Sequence, residues 1–350
     1  MIHRKLLIVC AITFNAFIYQ AQTAVFLAKP AGGKTWGYAG INGEFIIPAQ
    51  FEKCYEFSPV GLAIVYEKKS RHHYLIDLKN QRKEAEKPEF KIRDGFGINV
   101  SNFQNGLLLV RIGNKWGYMN TEGKMAIPAV YDSGNDFNGG FTTVRKGDNL
   151  FVLDLKGKES QINKMAMDIG EFSEGLAPVS NIDGRFGFVN EKGEFVIPME
   201  FESVGAFVDG LAWAKTTGRK VGYIDKKGKW AIEPKFEVGK EFDSKSGLAR
   251  IKQDNKWGYV NKKGEILAVS DTESWGDFSE GLAEGKKGTL HGFYDNKGNW
   301  VIAPQFEDVR KFRNGYAAAK LNGKWGIIDK TGKWIIEPKF DAVKDVILVK

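Results

Sequence analysis

One nine-residue pattern recurs along almost the whole chain, and it constrains the fold more than any other feature. Its clearest copies are residues 256–264 and 324–332, which read KWGYVNKKG and KWGIIDKTG. The second strand of each unit closes at Gly40, Asp77, Asn120, Asp154, Asn190, Asp225, Asn261, Asp295 and Asp329, with gaps of 34 to 43 residues. This regular spacing predicts one tandem array of nine units of about 36 residues rather than several unrelated domains.

Each unit divides into three strand-like pieces. The first begins Gly-Leu-Ala, as in residues 247–251, the second is the Trp-Gly-Tyr piece, and the third ends in Ile-Pro. Period two puts Trp257 and Tyr259 on one face of the second strand and Gly258 on the other, where a missing side chain lets a neighbouring unit or backbone come close. The Asn or Asp that follows starts a type I turn ending in Gly, so the second and third strands form a hairpin. Proline is expected to end the third strand because it has no N–H for the ladder.

The composition agrees with short aromatic strands and tight turns. The chain holds 41 Gly, 25 Phe and 9 Trp, and its 43% apolar residues are enough to bury a large core. We therefore predict an all-β fold.

The first residues have the layout of a secretory signal peptide. Arg4 and Lys5 precede an apolar-dominated run, residues 6–18, and the small residue Ala21 follows. The run is shorter than the roughly 20 residues that span a bilayer, so we expect cleavage near Ala21. The chain then divides into a signal peptide, residues 1–21, and a single array, residues 22–350. The mature protein is expected in the periplasm, on the cell surface or outside the cell, with membrane contact only before cleavage.

Signal removal leaves Cys54 as the only cysteine, so the mature chain forms no internal disulfide. It also lowers the formal net charge from +8 to +6, because Arg4 and Lys5 are lost. This mild excess gives no reason to expect a nucleic-acid partner.

The strand count bears on whether the array is open. Gly-Leu-Ala-type strands number ten when residues 25–29 and 346–350 are included, against nine of each other kind. A surplus strand at the C-terminus favours an open β superhelix or solenoid, in which Val346 to Lys350 covers the edge of the last unit. A β-propeller is the alternative, because meander units of this kind also build blades.

Residues that carry catalysis or bind metal are scarce. After signal removal the histidines are His72, His73 and His291, and none stands in a recognisable nucleophile or metal pattern. Most carboxylates recur at turns and connections, as Asp225 and Glu237 do, where local hydrogen bonding explains them. We expect no cofactor, no metal and no enzymatic activity, with an unrecognised hydrolase the least favoured reading.

The combined pattern resembles a known family. Lys-Trp-Gly-Tyr-Ile/Val-Asp/Asn-x-x-Gly, then Ile-Pro, then Phe-Ser-Glu-Gly-Leu-Ala is similar to the bacterial WG-repeat proteins, and residues 172–177 and 278–283 match the last element letter for letter. The resemblance covers roughly residues 25–350 and implies a repeat scaffold of poorly defined role. The second and fourth units depart from it, because they lack Trp-Gly.

Partner contacts are expected where the chain breaks the repeat. Trp36, Trp116, Trp257 and Trp325 recur once per unit and suit a stacked core, whereas Trp213 and Trp275 fall outside that slot and are candidate contact residues. The turn lysines, such as Lys226 and Lys262, favour a solvated rim over an anion-binding track. The second unit carries an irregular charged segment, residues 79–102, whose candidate contact residues are Arg82, Lys83 and Lys87.

These observations predict an exported, non-catalytic scaffold that binds a protein partner in the cell envelope or outside the cell. The alternative is a protein that binds glycans or cell wall through exposed aromatic residues.

Overall fold

The regular structure is entirely β. The computed structural model describes residues 22–94 and 100–350, and the predicted signal peptide lies outside them. Within the described ranges, 34 strands form eight antiparallel sheets and no helix occurs, so none is present that could cross a membrane. The all-β prediction is confirmed.

The strands are numbered in chain order. From residue 23 to residue 154 they are β1 (Thr23–Pro30), β2 (Trp36–Gly40), β3 (Phe45–Phe51), β4 (Lys53–Cys54), β5 (Ala63–Glu67), β6 (His72–Ile76), β7 (Arg82–Lys83), β8 (Leu107–Ile112), β9 (Lys115–Asn120), β10 (Met125–Tyr131), β11 (Ser133–Gly134), β12 (Phe141–Lys146) and β13 (Asn149–Asp154). From residue 159 to residue 267 they are β14 (Glu159–Gln161), β15 (Asp168–Ile169), β16 (Ala177–Ser180), β17 (Phe186–Val189), β18 (Phe195–Phe201), β19 (Ser203–Val204), β20 (Leu211–Lys215), β21 (Val221–Asp225), β22 (Trp230–Phe236), β23 (Val238–Asp243), β24 (Leu248–Gln253), β25 (Lys256–Asn261) and β26 (Ile266–Leu267). The remainder are β27 (Ala283–Lys287), β28 (Leu290–Tyr294), β29 (Trp300–Phe306), β30 (Asp308–Val309), β31 (Tyr316–Leu321), β32 (Lys324–Asp329), β33 (Trp334–Val343) and β34 (Ile347–Val349).

The three pieces of each sequence unit pair in chain order, for example β20–β21–β22 and β24–β25–β26. The second and fourth units, which lack Trp-Gly, pair in the same way as β5–β6–β7 and β12–β13–β14. In most sheets a short strand from the connecting segment, the stretch between the third strand of one unit and the first strand of the next, adds to the other side of the first strand. The strands β4, β11, β15, β19, β23 and β30 do this.

The predicted turns form as expected. The Asp225 carboxylate accepts the N–H groups of Lys227 at 2.8 Å and Lys229 at 3.0 Å, and the Asp225 carbonyl accepts the N–H of Gly228 at 2.9 Å. Gly228 has φ of +78°, which glycine adopts without strain. An Asn or Asp therefore starts the hairpin by bonding its own turn.

The glycine of the Trp-Gly pair is required by the third strand of its own unit. A Cβ on Gly222 would lie 2.5 Å from the carbonyl oxygen of Ile232, where the register between β21 and β22 shifts. Pro234 follows within β22, which continues to Phe236, so the expectation that proline ends the third strand is wrong. The residue is tolerated because the third strand is the outermost of its sheet, where a missing N–H breaks no ladder.

Tyrosine, more than tryptophan, fills the core. Tyr38, Tyr118, Tyr223 and Tyr259 are fully buried, whereas Trp36, Trp116, Trp257 and Trp325 are half-buried. The prediction that these tryptophans form the core is therefore right only in part, because they pack at its margin with one side toward solvent. Cations lie over two of them, with Lys29 Nζ 5.0 Å from the Trp36 ring centre and the Arg250 guanidinium 4.9 Å from that of Trp257.

Each hydrophobic core is shared by two consecutive units. Nine clusters of buried side chains occur in the described part of the chain, and each combines residues of one unit with residues of the next. One cluster joins Ile327, Ile336 and Phe340 of the last unit to Phe26 and Ala39 of the first. No unit buries its apolar surface alone.

The two ends of the array meet in one sheet. Strand β33 is ten residues long and runs past its own unit to pair with β1, where Val343 lies opposite Ala28. Strand β34 continues along β1, with Val349 opposite Thr23. The expectation that Val346 to Lys350 pairs with the last unit is therefore wrong, because the first strand of the chain takes up this segment.

The close approach at Gly222 can be tested by substitution. We expect Gly222→Ala to lower the free energy of unfolding by about 2–4 kcal/mol, because the new Cβ meets backbone that cannot move without breaking the hairpin. The matched control is Gly218→Ala, where the nearest atom to the new Cβ is Thr216 Oγ1 at 3.6 Å. Denaturant titration measures both variants, and equal losses would show that strand packing does not explain the glycine.

Candidate functional site

A large cavity lies where the connecting segments converge. It has a volume of about 1150 Å³ and is lined by segments that lead into six units: the first five and the last. We call it the connector cavity. Its lining includes the half-buried Trp36 and Tyr55, the carboxylates Glu56, Asp136 and Asp345, and the cations Arg310, Arg313 and Lys344.

Ion pairs hold the charged groups of this cavity. Arg310 Nε lies 2.6 Å from Asp345 Oδ1, and Arg313 lies 3.7 Å from both Asp345 and Glu56. On the other side, Arg93 Nη2 contacts Asp136 at 3.3 Å and Glu171 at 3.1 Å. Residues from different units are therefore joined by charge at the cavity wall.

Burial shifts the acid strength of two wall residues. Burial raises the pKa of Asp136 to about 6, although Arg93 acts in the opposite direction. Burial, and then the nearby Asp345 carboxylate, also raise the pKa of Glu56. Both carboxylates are thus held in places that do not favour their charge.

Cys54 also lines the cavity, and its surroundings favour the thiol. Burial raises its pKa to about 12, and the hydroxyl of Tyr38 lies beside it. A cysteine of this kind has little thiolate at neutral pH.

The histidines fall into separate surroundings. His73 is buried beside Tyr66 and Phe90, and burial lowers its pKa. His291 is half-buried, as expected for its repeat slot, and its Nδ1 lies 2.7 Å from Glu284 Oε1. Within residues 22–94 and 100–350, no group of three or more His, Cys, Asp or Glu side chains is placed to hold a metal ion.

A family model for the WG containing repeat matches seven segments that together cover more than half of the chain: residues 36–69, 99–116, 116–149, 186–219, 222–257, 292–325 and 325–346. The chain belongs to the WG containing repeat family. Among curated proteins, none matches the sequence.

Solved structures resemble this WG-repeat chain in fold. A crystal structure of a eukaryotic initiation factor has a TM-score of 0.62 at 12% identity and covers 94% of this chain and 98% of its own. BamB from Moraxella catarrhalis has a TM-score of 0.44 at 11% identity, with 80% and 94% covered. AztD from Citrobacter koseri has a TM-score of 0.44 at 12% identity, with 93% and 98% covered. The similarity to the initiation factor indicates a related fold and says nothing about function. The TM-scores of 0.44 are too low to support a conclusion about this protein.

The two tryptophans predicted as contact residues, Trp213 and Trp275, are half-buried and hydrogen-bonded. Trp213 lies on β20 above Gly205, and its indole N–H donates to Glu241 Oε1 at 3.0 Å. Trp275 stands in a connecting segment, forms a bridge with Gly285, and donates its indole N–H to the Val269 carbonyl at 3.3 Å. Neither is among the exposed large apolar residues of the described chain. Their role in partner contact stays a prediction.

The irregular segment is more closely built into the WG-repeat array than its sequence suggests. Arg82 and Lys83 form β7 and pair with β6, Arg82 stacks 4.6 Å from the Tyr74 ring centre, and Lys83 Nζ donates to the Thr121 carbonyl at 3.1 Å. Lys87 is exposed. The same segment also contributes to the packed core, because Phe90 is buried in the cluster between the second and third units. Residues 95–99 of this segment lie outside the described residues.

Three of the turn lysines connect units, and two of them, Lys226 and Lys262, are exposed as the predicted rim requires. Lys226 Nζ donates to the carbonyl of Glu174 at 2.9 Å and lies 3.1 Å from its carboxylate. Lys262 makes the same two contacts with Asp209, and Lys330 makes them with Glu280. The Glu174 carboxylate in turn accepts the N–H of Gly210 at 3.0 Å from the next unit.

Sequence reasoning missed an exposed apolar group. Met165 and Ile182 are 64% and 82% exposed, and Met167, also exposed, donates its N–H to the Ser180 carbonyl at 2.7 Å. We call Met165, Met167 and Ile182 the fifth-unit patch, because they precede and follow β16. The sequence does contain a sign of this patch: three large apolar residues stand in connecting and turn segments, where polar residues are usual.

Two aspartates four residues apart provide a test of these electrostatics. We expect Asp136→Asn to stabilise the protein at pH 8 by about 1 kcal/mol, because the raised pKa means that ionisation of Asp136 costs stability. The gain should shrink as the pH falls through 6 and vanish near pH 4, where the wild-type carboxyl is protonated.

The control is Asp132→Asn. Lys115, followed by the N–H of Gly147, holds the pKa of Asp132 below its usual range, so its charge stabilises the fold above that range. The Asp132→Asn variant should be less stable than wild type at pH 8, with the difference lost on acidification. Thermal unfolding across pH 2–8 measures both, because the difference for Asp132 is lost only below the ordinary carboxyl pKa of about 4. A destabilised Asp136→Asn protein at pH 8 would show that the ion pair with Arg93 outweighs burial.

Proposed function

We propose that the nine units close into a propeller-like ring, and that this ring is an exported, non-catalytic scaffold for a protein partner in the cell envelope or outside the cell. Closure is supported by the pairing of β1 with β33 and β34 and by the core shared between the last and first units. Export is supported by the signal-peptide layout of residues 1–21.

A closed ring suits a scaffold because it has no terminal unit to unravel. Each unit shares its core with a neighbour on both sides, so no apolar face is left at an end. Contacts such as Lys226 with Glu174 then hold the loops of successive units in fixed positions. A partner would bind a surface whose loops are already fixed, so little binding free energy would be spent on ordering them.

The observation that carries the protein-binding proposal is the fifth-unit patch. Exposed methionines adapt their shape to a partner at low cost, and clustered exposed apolar residues are typical of protein interfaces. Arg145 lies beside this patch and donates to the Met167 carbonyl at 2.6 Å, which gives the apolar group a polar margin. Trp213, Trp275 and the segment with Lys87 remain further candidate contacts.

Ring closure can be tested with a disulfide. In a Cys54→Ala background, we expect Thr23→Cys with Val349→Cys to form an internal disulfide, because directly opposite residues of an antiparallel pair lie about 5 Å apart. The melting temperature should rise, since the bond closes a loop of more than 300 residues. Non-reducing electrophoresis of the purified monomer, with each single-cysteine variant as control, measures the bond. Only intermolecular disulfides would favour an open stack.

The partner proposal can be tested with a photo-crosslinker in living cells. With p-benzoylphenylalanine in place of Ile182, we expect irradiation to yield one defined adduct with an exported protein, identified by mass spectrometry. The control position is Leu155, which is 44% exposed in a hairpin turn of the fourth unit and outside the patch. The same adducts from both positions, or none from Ile182, would contradict the proposal.

A further inference from the structure

The connector cavity has no excess charge to offer a ligand. Each of its five carboxylates already has a cation partner: Glu52 with Lys68, Glu56 with Arg313, Asp136 and Glu171 with Arg93, and Asp345 with Arg310. Among its cations, Lys344 alone makes no ion pair within the described residues. A strongly cationic or anionic ligand would therefore have to disrupt existing pairs.

The cavity does offer uncharged polar groups. The side-chain amides of the exposed residues Gln104 and Asn138 line it, and neither amide has a hydrogen-bond partner among the described residues. The hydroxyl of the fully buried Ser101 lies beside the Asp136 carboxylate, so these two groups are partners of each other. Amides that face a cavity without protein partners are free to donate and accept hydrogen bonds with a polar ligand that enters it.

We propose that the connector cavity binds a neutral oligosaccharide. A sugar hydroxyl donates one hydrogen bond and accepts others, so it suits amides and carboxylates whose remaining positions are free. The ion pairs hold the charged side chains of the cavity wall in place before the ligand arrives, which lowers the entropic cost of binding. The half-buried rings of Trp36 and Tyr55 provide the apolar walls that a sugar ring needs.

The dimensions indicate two or three sugar rings. Ligand pockets for small molecules usually measure about 300–1,000 Å³, and this cavity, at about 1150 Å³, is somewhat larger. It is formed by segments from six units, so the site exists only when the first and last units are joined. The proposal does not depend on the protein partner, because the purified chain alone should bind.

The test is calorimetric titration of the purified mature protein with neutral trisaccharides: cellotriose, maltotriose and N,N′,N″-triacetylchitotriose. We expect at least one to bind, with quenching or a shift of tryptophan fluorescence from Trp36. The double variant Gln104→Ala with Asn138→Ala should lose affinity by about tenfold or more, because two hydrogen bonds are removed. The matched control is Gln50→Ala, an exposed glutamine on β3 outside the cavity, which should bind as wild type does.

Thermal unfolding of every variant confirms that it is folded before titration. Absence of binding by all three sugars at 10 mM would overturn the proposal, as would binding that the double variant leaves unchanged. Binding that Gln50→Ala weakens equally would also overturn it, because the sugar would then lie elsewhere. Loss of the Ile182 adduct with intact sugar binding would reject the protein-partner proposal alone.

Discussion

The structure depends on one contact between consecutive units. It is made by the aromatic residue two positions after the tryptophan slot in the second strand, such as Tyr259. In six units its ring packs edge to face on a phenylalanine of the following connecting segment, with ring centres 4.7–4.9 Å apart. Where the residue is tyrosine, the hydroxyl also donates to a backbone carbonyl of that segment, as Tyr259 does to Gly276 at 2.7 Å. The ring pair buries apolar area, and the same segment accepts the hydrogen bond of the tyrosine hydroxyl. Each unit therefore positions the segment that leads into the next one. In these six units the two rings are always 19 residues apart, as Tyr38 and Phe57 are, so this part of each unit keeps a constant length while the whole unit varies.

This contact also explains why the strands of one unit would be unstable alone. A three-stranded meander has two faces, and here both are covered by neighbours through clusters that include residues of adjacent units. The outermost strand stays open at its edge, and Pro234 and its equivalents remove a donor from that edge. A proline there discourages strand addition by another chain. The array thus grows by face-to-face packing and not by extending its sheets.

The sequence predicted the parts of the fold that recur in every unit. It did not predict contacts that form only once, between distant parts of the chain. Strand order, the hairpin turn at Asp225 and the close approach at Gly222 all follow from local chemistry, so they could be read from the motif. The pairing of β34 with β1 could not, because it joins residues more than 300 positions apart and depends on curvature summed over all units. The connector cavity was missed for the same reason: Glu56, Asp136 and Asp345 lie far apart in sequence and carry no shared pattern. Trp213 and Trp275 were identified as irregular, but their indole N–H groups have partners that only the fold reveals.

One position of the connecting segment varies between units, and its copies from several units meet at the connector cavity. The residue before the phenylalanine of the connecting segment is Glu56, Asp136, Glu171, Glu241 or Asp277 in some units, and it is Asn102, Ala206 or Lys311 in others. After the last unit, Asp345 stands in the same place before Val346. Packing fixes the phenylalanine but leaves this neighbour free to change, because it faces the space between units and not the core. Four of the acidic copies line the connector cavity and pair with arginines that have no counterpart in most units. A repeat protein can therefore acquire a specific site without altering its scaffold, by changing one position per unit around a common cavity.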